Sequence, residues 1–262
     1  MPDLLDLNFV QLAIILAAGV AAGFINTLAG GGSLLTIPAL LFAGLASPVA
    51  NATNRVAVVM QSLVAAGRFR QKKVFVLGEA LPMLIPAFVG SVIGASIAAE
   101  LDQRVFDIVL GIVLVSMVAT LFLSPARLAE RFVAADDGAG PTVLHRMVTV
   151  AAFFGIGVYG GFIQVGVGFL LIIGISTLFG FDLVKTNAVK LLVVGLYSLF
   201  ALAIFAWHGQ VLWLHGVVLG VGNVLGALLG VRLALHRGTG AVKAVVVVAV
   251  ALSALRLFGV LN

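Results

Sequence analysis

Two short glycine runs hold the residues of this chain best suited to chemistry. Gly30-Gly31-Gly32-Ser33 and Gly166-Val167-Gly168 each open a short apolar stretch of helical composition. The first N–H groups of a helix have no internal acceptor, and the aligned peptide dipoles place partial positive charge there. Glycine lets a ligand approach that backbone, and an anion would satisfy both features. Ser33 adds a hydroxyl that either caps the helix or donates to a ligand. The competing reading, close helix packing, is strong for the glycines of 19–23, 90–94 and 222–230. Packing seldom needs three consecutive glycines, so the run at 30–32 points to binding.

Polar residues recur at matching places beyond each run. Thr53-Asn54 and Thr186-Asn187 are expected to begin longer helices, where they either cap the helix or help build a central site from broken helices. Lys190, three residues after Asn187, shares its helical face, whereas Arg55 is turned about 100° from Asn54. A cation within the membrane beside helix N-termini favours an anionic substrate; either residue could instead snorkel to an interface. Asn26 and Gln164 precede the glycine runs, where an amide donates to a ligand or satisfies freed carbonyls. Glu79 is the leading candidate to carry a coupling proton, against the plainer reading of an interfacial carboxylate. Gln61 reads as helix glue, and Pro38, Pro82 and Pro86 predict kinks.

Other patterns lead nowhere. The glycines of 155–160 fit a dinucleotide fingerprint, but no strand precedes them, and the sequon at Asn51 falls near or within an apolar span. His145, His208, His215 and His236 are scattered without metal spacing, and the chain has no cysteine. No nucleophile triad or phosphate loop is present. No enzyme activity, metal or cofactor is expected.

The elements that must position these residues follow from composition. With 62% hydrophobic residues, 10% charged and a mean hydropathy of +1.25, the chain reads as an all-α polytopic membrane protein with the lipid bilayer as its surroundings. The net charge of +5 lies in short loops, where it sets orientation, so nucleic acid is not expected as a partner. Full spans are predicted near 9–28, 51–69, 74–98, 104–124, 147–165, 186–206, 211–235 and 241–259. Two further pieces, 33–45 and 168–180, reach only roughly 20 Å against a core of ~30 Å, and are read as half-helices. The expected fold is therefore about eight full spans plus two half-helices. Asp3 and Asp6 argue against a cleaved signal peptide.

The chain also reads as a duplication: residues 1–124, a polar linker 125–146, then 147–262. Gly23-Phe24-Ile25-Asn26 matches Gly161-Phe162-Ile163-Gln164, Gly44 matches Gly180, and the segment from Gly90 to Ala95 matches that from Gly222 to Ala227. If each short piece crosses, five segments per copy gather the basic loops on one side. The positive-inside rule then makes the copies inverted and puts both termini outside, in the periplasm. A homodimer is compatible with this arrangement.

The paired breaks GFINTLAGGGSLLTIPALL and GFIQVGVGFLLI, each followed by Thr-Asn, and the G-x-x-x-G-A stretches resemble the TauE/SafE sulfite-exporter family, also called the toluenesulfonate uptake permeases. The likeness covers nearly the whole chain. It implies a bacterial inner-membrane secondary transporter for small sulfur anions such as sulfite, sulfonates, sulfoacetate or thiosulfate. Carried onto this sequence it points to Gly30, Gly31, Gly32, Thr53, Asn54, Gly166, Gly168, Thr186 and Asn187. Val167 replaces the middle glycine of the second run, which puts equal roles for the two copies in doubt. The rival readings are a cation carrier or channel using carbonyls near Ala29 or Gly44, and a membrane subunit without transport.

Overall fold

A computed structural model describes residues 9–29, 31–74, 77–122 and 142–234. They form helices α1 (Phe9–Ala29), α2 (Ser33–Phe42), α3 (Ser47–Gln71), α4 (Leu77–Glu100), α5 (Gln103–Phe122), α6 (Val143–Phe162), α7 (Val167–Phe179), α8 (Leu183–Trp207) and α9 (Trp213–Ala234). Helices α1, α4, α6, α8 and α9 are long and apolar enough to cross a membrane. The predicted span 241–259, Gly30 and most of the linker lie outside the described residues.

The two short helices occur as expected, with 10 residues in α2 and 13 in α7. Left-handed Gly44 and Gly180 stop them, a conformation a side chain would resist. One expectation is corrected: neither Thr-Asn pair begins its helix. Helix α3 starts at Ser47, with Pro48 in its first turn, and α8 starts at Leu183. Proline fits a first turn because the N–H it lacks would be unpaired there. Asp182 caps α8 by accepting from the N–H groups of Val184 and Lys185. Both pairs thus sit inside their helices. Thr142 likewise caps α6 through the N–H of His145, so that helix begins at Val143 instead of 147.

Glycine stripes set the closest packing. A Cβ added to Gly23 would lie 2.0 Å from the carbonyl oxygen of Asn223, and one on Gly226 would lie 1.9 Å from that of Val20, so α1 and α9 meet backbone to backbone. The same happens between α4 and α6, where Gly94 would reach the Val158 oxygen at 2.0 Å and Gly161 the Ser91 oxygen at 2.2 Å. In lipid, where apolar burial does not drive helices together, such close approach supplies the packing energy.

The order of contacts fixes helix direction. Residues of α1 and α9 pair in ascending order, Leu16 with Gly222 and Val20 with Gly226, so the two run parallel. Helix α3 also runs with α9, Val56 meeting Gly216 and Met60 meeting Gly220. Helices α4 and α6 run parallel, as do α4 and α8, joined by Glu79 to Lys185 and Ser91 to Tyr197. Helix α8 is antiparallel to α3, because Ser62 packs on Gly195 while Arg55 reaches Phe205. The helices α1, α3 and α9 therefore oppose α4, α6 and α8. Gln61 joins α3 to α9 by accepting from Asn223, the role of helix glue read from the sequence.

Candidate anion site at the helix breaks

The first break runs from the end of α1 to the start of α2. Gly32 precedes α2, and the N–H groups of Gly31, Gly32 and Ser33 find no acceptor among the described residues. The structure brings Asn54 to this start. Its side-chain N–H donates to Ser33 Oγ at 3.4 Å, and its carbonyl accepts from Thr36 Oγ1 at 2.6 Å, all four groups being buried. Ser33 therefore receives a bond from Asn54 and does not cap α2. Lys190 closes the other side, its ammonium donating to the Asn26 carbonyl and to Asn187 Oδ1, each at 2.8 Å. Asn26 thus takes part through its main chain.

The second break, from Gly161 to Gly166, is held more elaborately. Arg55 donates to the Gly161 carbonyl and, at 3.2 Å, to Gln164 Oε1. Asn51 accepts from the Gln164 N–H at 3.4 Å and donates to the Phe162 carbonyl at 3.0 Å. Gln164 donates to the Tyr197 hydroxyl at 3.3 Å and accepts from Ser198 at 3.4 Å, and Tyr159 donates to the Val165 carbonyl at 2.7 Å. Gly166 is left-handed at φ +73° and turns the chain into α7, whose Val167 and Gly168 N–H groups find no acceptor among the described residues. The two breaks meet: the ring of Phe169, in the first turn of α7, lies against Gly31.

The remaining predicted residues stand apart from these donors. Thr53 Oγ1 accepts from the Leu212 N–H, tying α3 to the start of α9. Thr186 binds the Phe181 carbonyl and Ser176, securing the turn between α7 and α8. Glu79 sits in the first turn of α4, paired with Lys185 at 2.8 Å.

Sequence reasoning missed several side chains that build the second break: Asn51, Tyr159, Tyr197 and Ser198. A signal existed for each of the first three. Asn51 lies one turn before Asn54 on the same face, and the two tyrosines are the only ones in the chain. Both cations are sequestered, with Arg55 0% and Lys190 1% exposed, so neither snorkels. Among the described residues no carboxylate pairs with either.

Interrupted helices, close glycine packing and apolar spans define a polytopic α-helical membrane protein. The model of the family "Sulfite exporter TauE/SafE" matches residues 15–257. A probable membrane transporter protein of Haemophilus influenzae is 31% identical over 93% of each chain. The probable membrane transporter ORF9 of a Sinorhizobium species is 32% identical, covering 96% of this chain and 94% of its own. YfcA of Escherichia coli K12, another probable membrane transporter, is 32% identical, covering 94% of this chain and 89% of its own. No solved structure matches. The chain belongs to the TauE/SafE sulfite exporter family and is a membrane transporter.

Proposed function

We propose that the protein is a secondary transporter of small sulfur oxyanions, of the sulfite, sulfonate, sulfoacetate or thiosulfate class, working by alternating access in the bacterial inner membrane. The observation that carries this reading is the meeting of two helix starts with unsatisfied N–H groups beside two buried cations without a carboxylate partner among the described residues. Such a place attracts negative charge and offers little to a cation. The site on this reading comprises Gly30–Ser33, Asn26, Asn54, Asn187 and Lys190 at the first break, and Gln164, Gly166 and Gly168 at the second, with Thr53 and Thr186 bracing the helices that carry them.

Inverted five-segment copies are supported by helix direction. Because α1 and α3 run the same way, the chain between them must return, as α2 does. The first helices of the two copies, α1 and α6, then run oppositely. Contacts are exchanged between the copies as well, α1 packing on α9 as α6 packs on α4. One end of the bundle gathers Arg68, Arg70, Lys72, Lys73, Arg146 and Lys185, while the other carries Glu100, Asp102, Arg104 and Asp107. The positive-inside rule makes the first end cytoplasmic and both termini periplasmic. Rocking of one copy against the other would open the site to each side in turn, driven by the proton gradient, with Glu79 placed at the cytoplasmic end to take the proton. No catalysis or cofactor is required by this mechanism.

Uptake of labelled sulfite into proteoliposomes, challenged with other anions and with sodium or potassium, tests the reading. Saturable uptake displaced by sulfur oxyanions and insensitive to the cations is expected. Displacement by cations but not by sulfite would replace the reading with a cation carrier.

A further inference from the structure

Arg55 is the largest fully buried side chain in the described protein, and no carboxylate among the described residues pairs with it. Each of its two terminal nitrogens gives one of its two N–H groups to a neutral acceptor, Gln164 Oε1 or Gly161 O, while its third nitrogen, Nε, is buried with no hydrogen-bond partner among the described residues. A guanidinium does not shed its proton, so burial cannot be relieved by neutralisation. An uncompensated buried charge with an idle N–H is costly. The cost is removed if a mobile anion is the missing partner.

Arg55 is bonded to the stretch of chain that leads into α7. Gln164 and Gly161, which Arg55 holds, lead into Gly166 and the unsatisfied N–H groups of Val167 and Gly168. The Phe205 ring lies under the guanidinium, its centroid 4.9 Å from Arg55 Cζ, a cation–π contact. Tyr197 fixes Gln164, and hence the second fork contact. Side chains cover the glycines of both breaks, Phe169 and Asn26 lying over Gly31 and Gly32 and Met117 over Gly166, so the cations set the two breaks apart. The charge at the first break is a lysine already donating to two acceptors.

We infer that the second break, despite its missing middle glycine, is the principal oxyanion subsite, and that Arg55 is its specificity-determining residue, binding the S–O oxygens of the substrate through its unpartnered Nε–H together with the start of α7. This inference rests on the transport reading above. A planar fork prefers a group with several oxygens in fixed geometry over a spherical ion of equal charge.

The test is initial-rate uptake of labelled sulfite into proteoliposomes by wild type, Arg55→Lys and Arg55→Gln, with chloride as competitor and folded yield followed by size-exclusion profile. Arg55→Lys keeps the charge but loses the fork. Its KM for sulfite should rise roughly 10- to 100-fold, the weight of one charge-assisted hydrogen bond, with the maximal rate retained and chloride becoming an effective inhibitor. Arg55→Gln should lose uptake; should it fail to fold, Arg55→Lys decides. A folded Arg55→Lys protein with wild-type KM and undiminished rejection of chloride overturns the inference while leaving the transporter intact. Absence of sulfite uptake by the wild type would instead remove the function reading, and this inference with it.

Discussion

The ammonium of Lys190 lies 2.8 Å from the main-chain carbonyl of Asn26, so a cation from α8 holds the end of α1, 164 residues earlier in the chain. Arg55 makes the reciprocal connection, reaching from α3 to the carbonyl of Gly161 at the end of α6. Each broken helix is thus closed by a cation from the other part of the chain. Carbonyls freed by a break cannot turn to water in the middle of a bilayer, and these cations take that place. Movement of one part against the other must alter both connections together.

Lys190→Gln should therefore injure both stability and transport. The shorter amide cannot serve Asn26 and Asn187 at once, and an acceptor left unpaired in this half-buried place costs up to about 1–3 kcal/mol. Thermal unfolding in detergent should show the loss, and sulfite uptake should fall to background. Wild-type uptake by this variant would remove Lys190 from the site.

Asn54→Ala should abolish transport while the protein still reaches the membrane, because it frees Ser33 and Thr36 from the helix that positions them. Asn54→Asp should do no better, since a carboxylate beside the start of α2 would compete with the anion. Uptake normalised to the amount of protein in purified membranes separates lost function from lost protein. Unchanged uptake would contradict the assignment.

The glycine stripes give a prediction on folding alone. Gly94→Leu must push α4 from α6, since even a Cβ would meet the Val158 oxygen at 2.0 Å. Overpacking of this kind costs roughly 1–3 kcal/mol or more. Gly155→Leu, where nothing lies within 4 Å of an added Cβ, should leave the folded yield unchanged. Equal yields for the two variants would show that α4 and α6 do not pack as described.

Glu79→Gln removes the ion pair with Lys185, which is partly exposed and worth at most about 1 kcal/mol. Accumulation of sulfite driven by a pH gradient should disappear while exchange without a gradient continues. Retention of gradient-driven accumulation would exclude Glu79 as the proton carrier.

Orientation is open to direct measurement because the chain has no native cysteine. His208→Cys should react with an impermeant maleimide added to intact cells, and Lys72→Cys only after the membrane is opened. The reverse pattern would turn the protein over in the membrane.

Much of this architecture was readable from the chain because bilayer thickness imposes a length. Runs too short to cross, opened by Gly31-Gly32 and Gly166 and ended by Gly44 and Gly180, appear as the helices α2 and α7. The glycine pairs of 19–23 and 90–94 likewise pack as their spacing suggests. The starts of α3 and α8 were misplaced because Thr and Asn are good capping residues, whereas Pro48 and Asp182 open those helices. Asn51 was hidden by its place in a glycosylation pattern. Its bonds to Phe162 and Gln164 join residues more than a hundred positions apart. The reach of Arg55 was equally hidden, for its face on α3 alone does not say which carbonyl α6 brings to it.

A density map of the protein in nanodiscs with sulfite would test most directly whether main-chain N–H groups at interrupted helices hold the anion. The account predicts one oxyanion within hydrogen-bonding distance of the start of α7 or α2, with α1 and α6 ending where they do here. Continuous helix through Gly31-Gly32 and Gly166, or sulfite bound away from both starts, would contradict it.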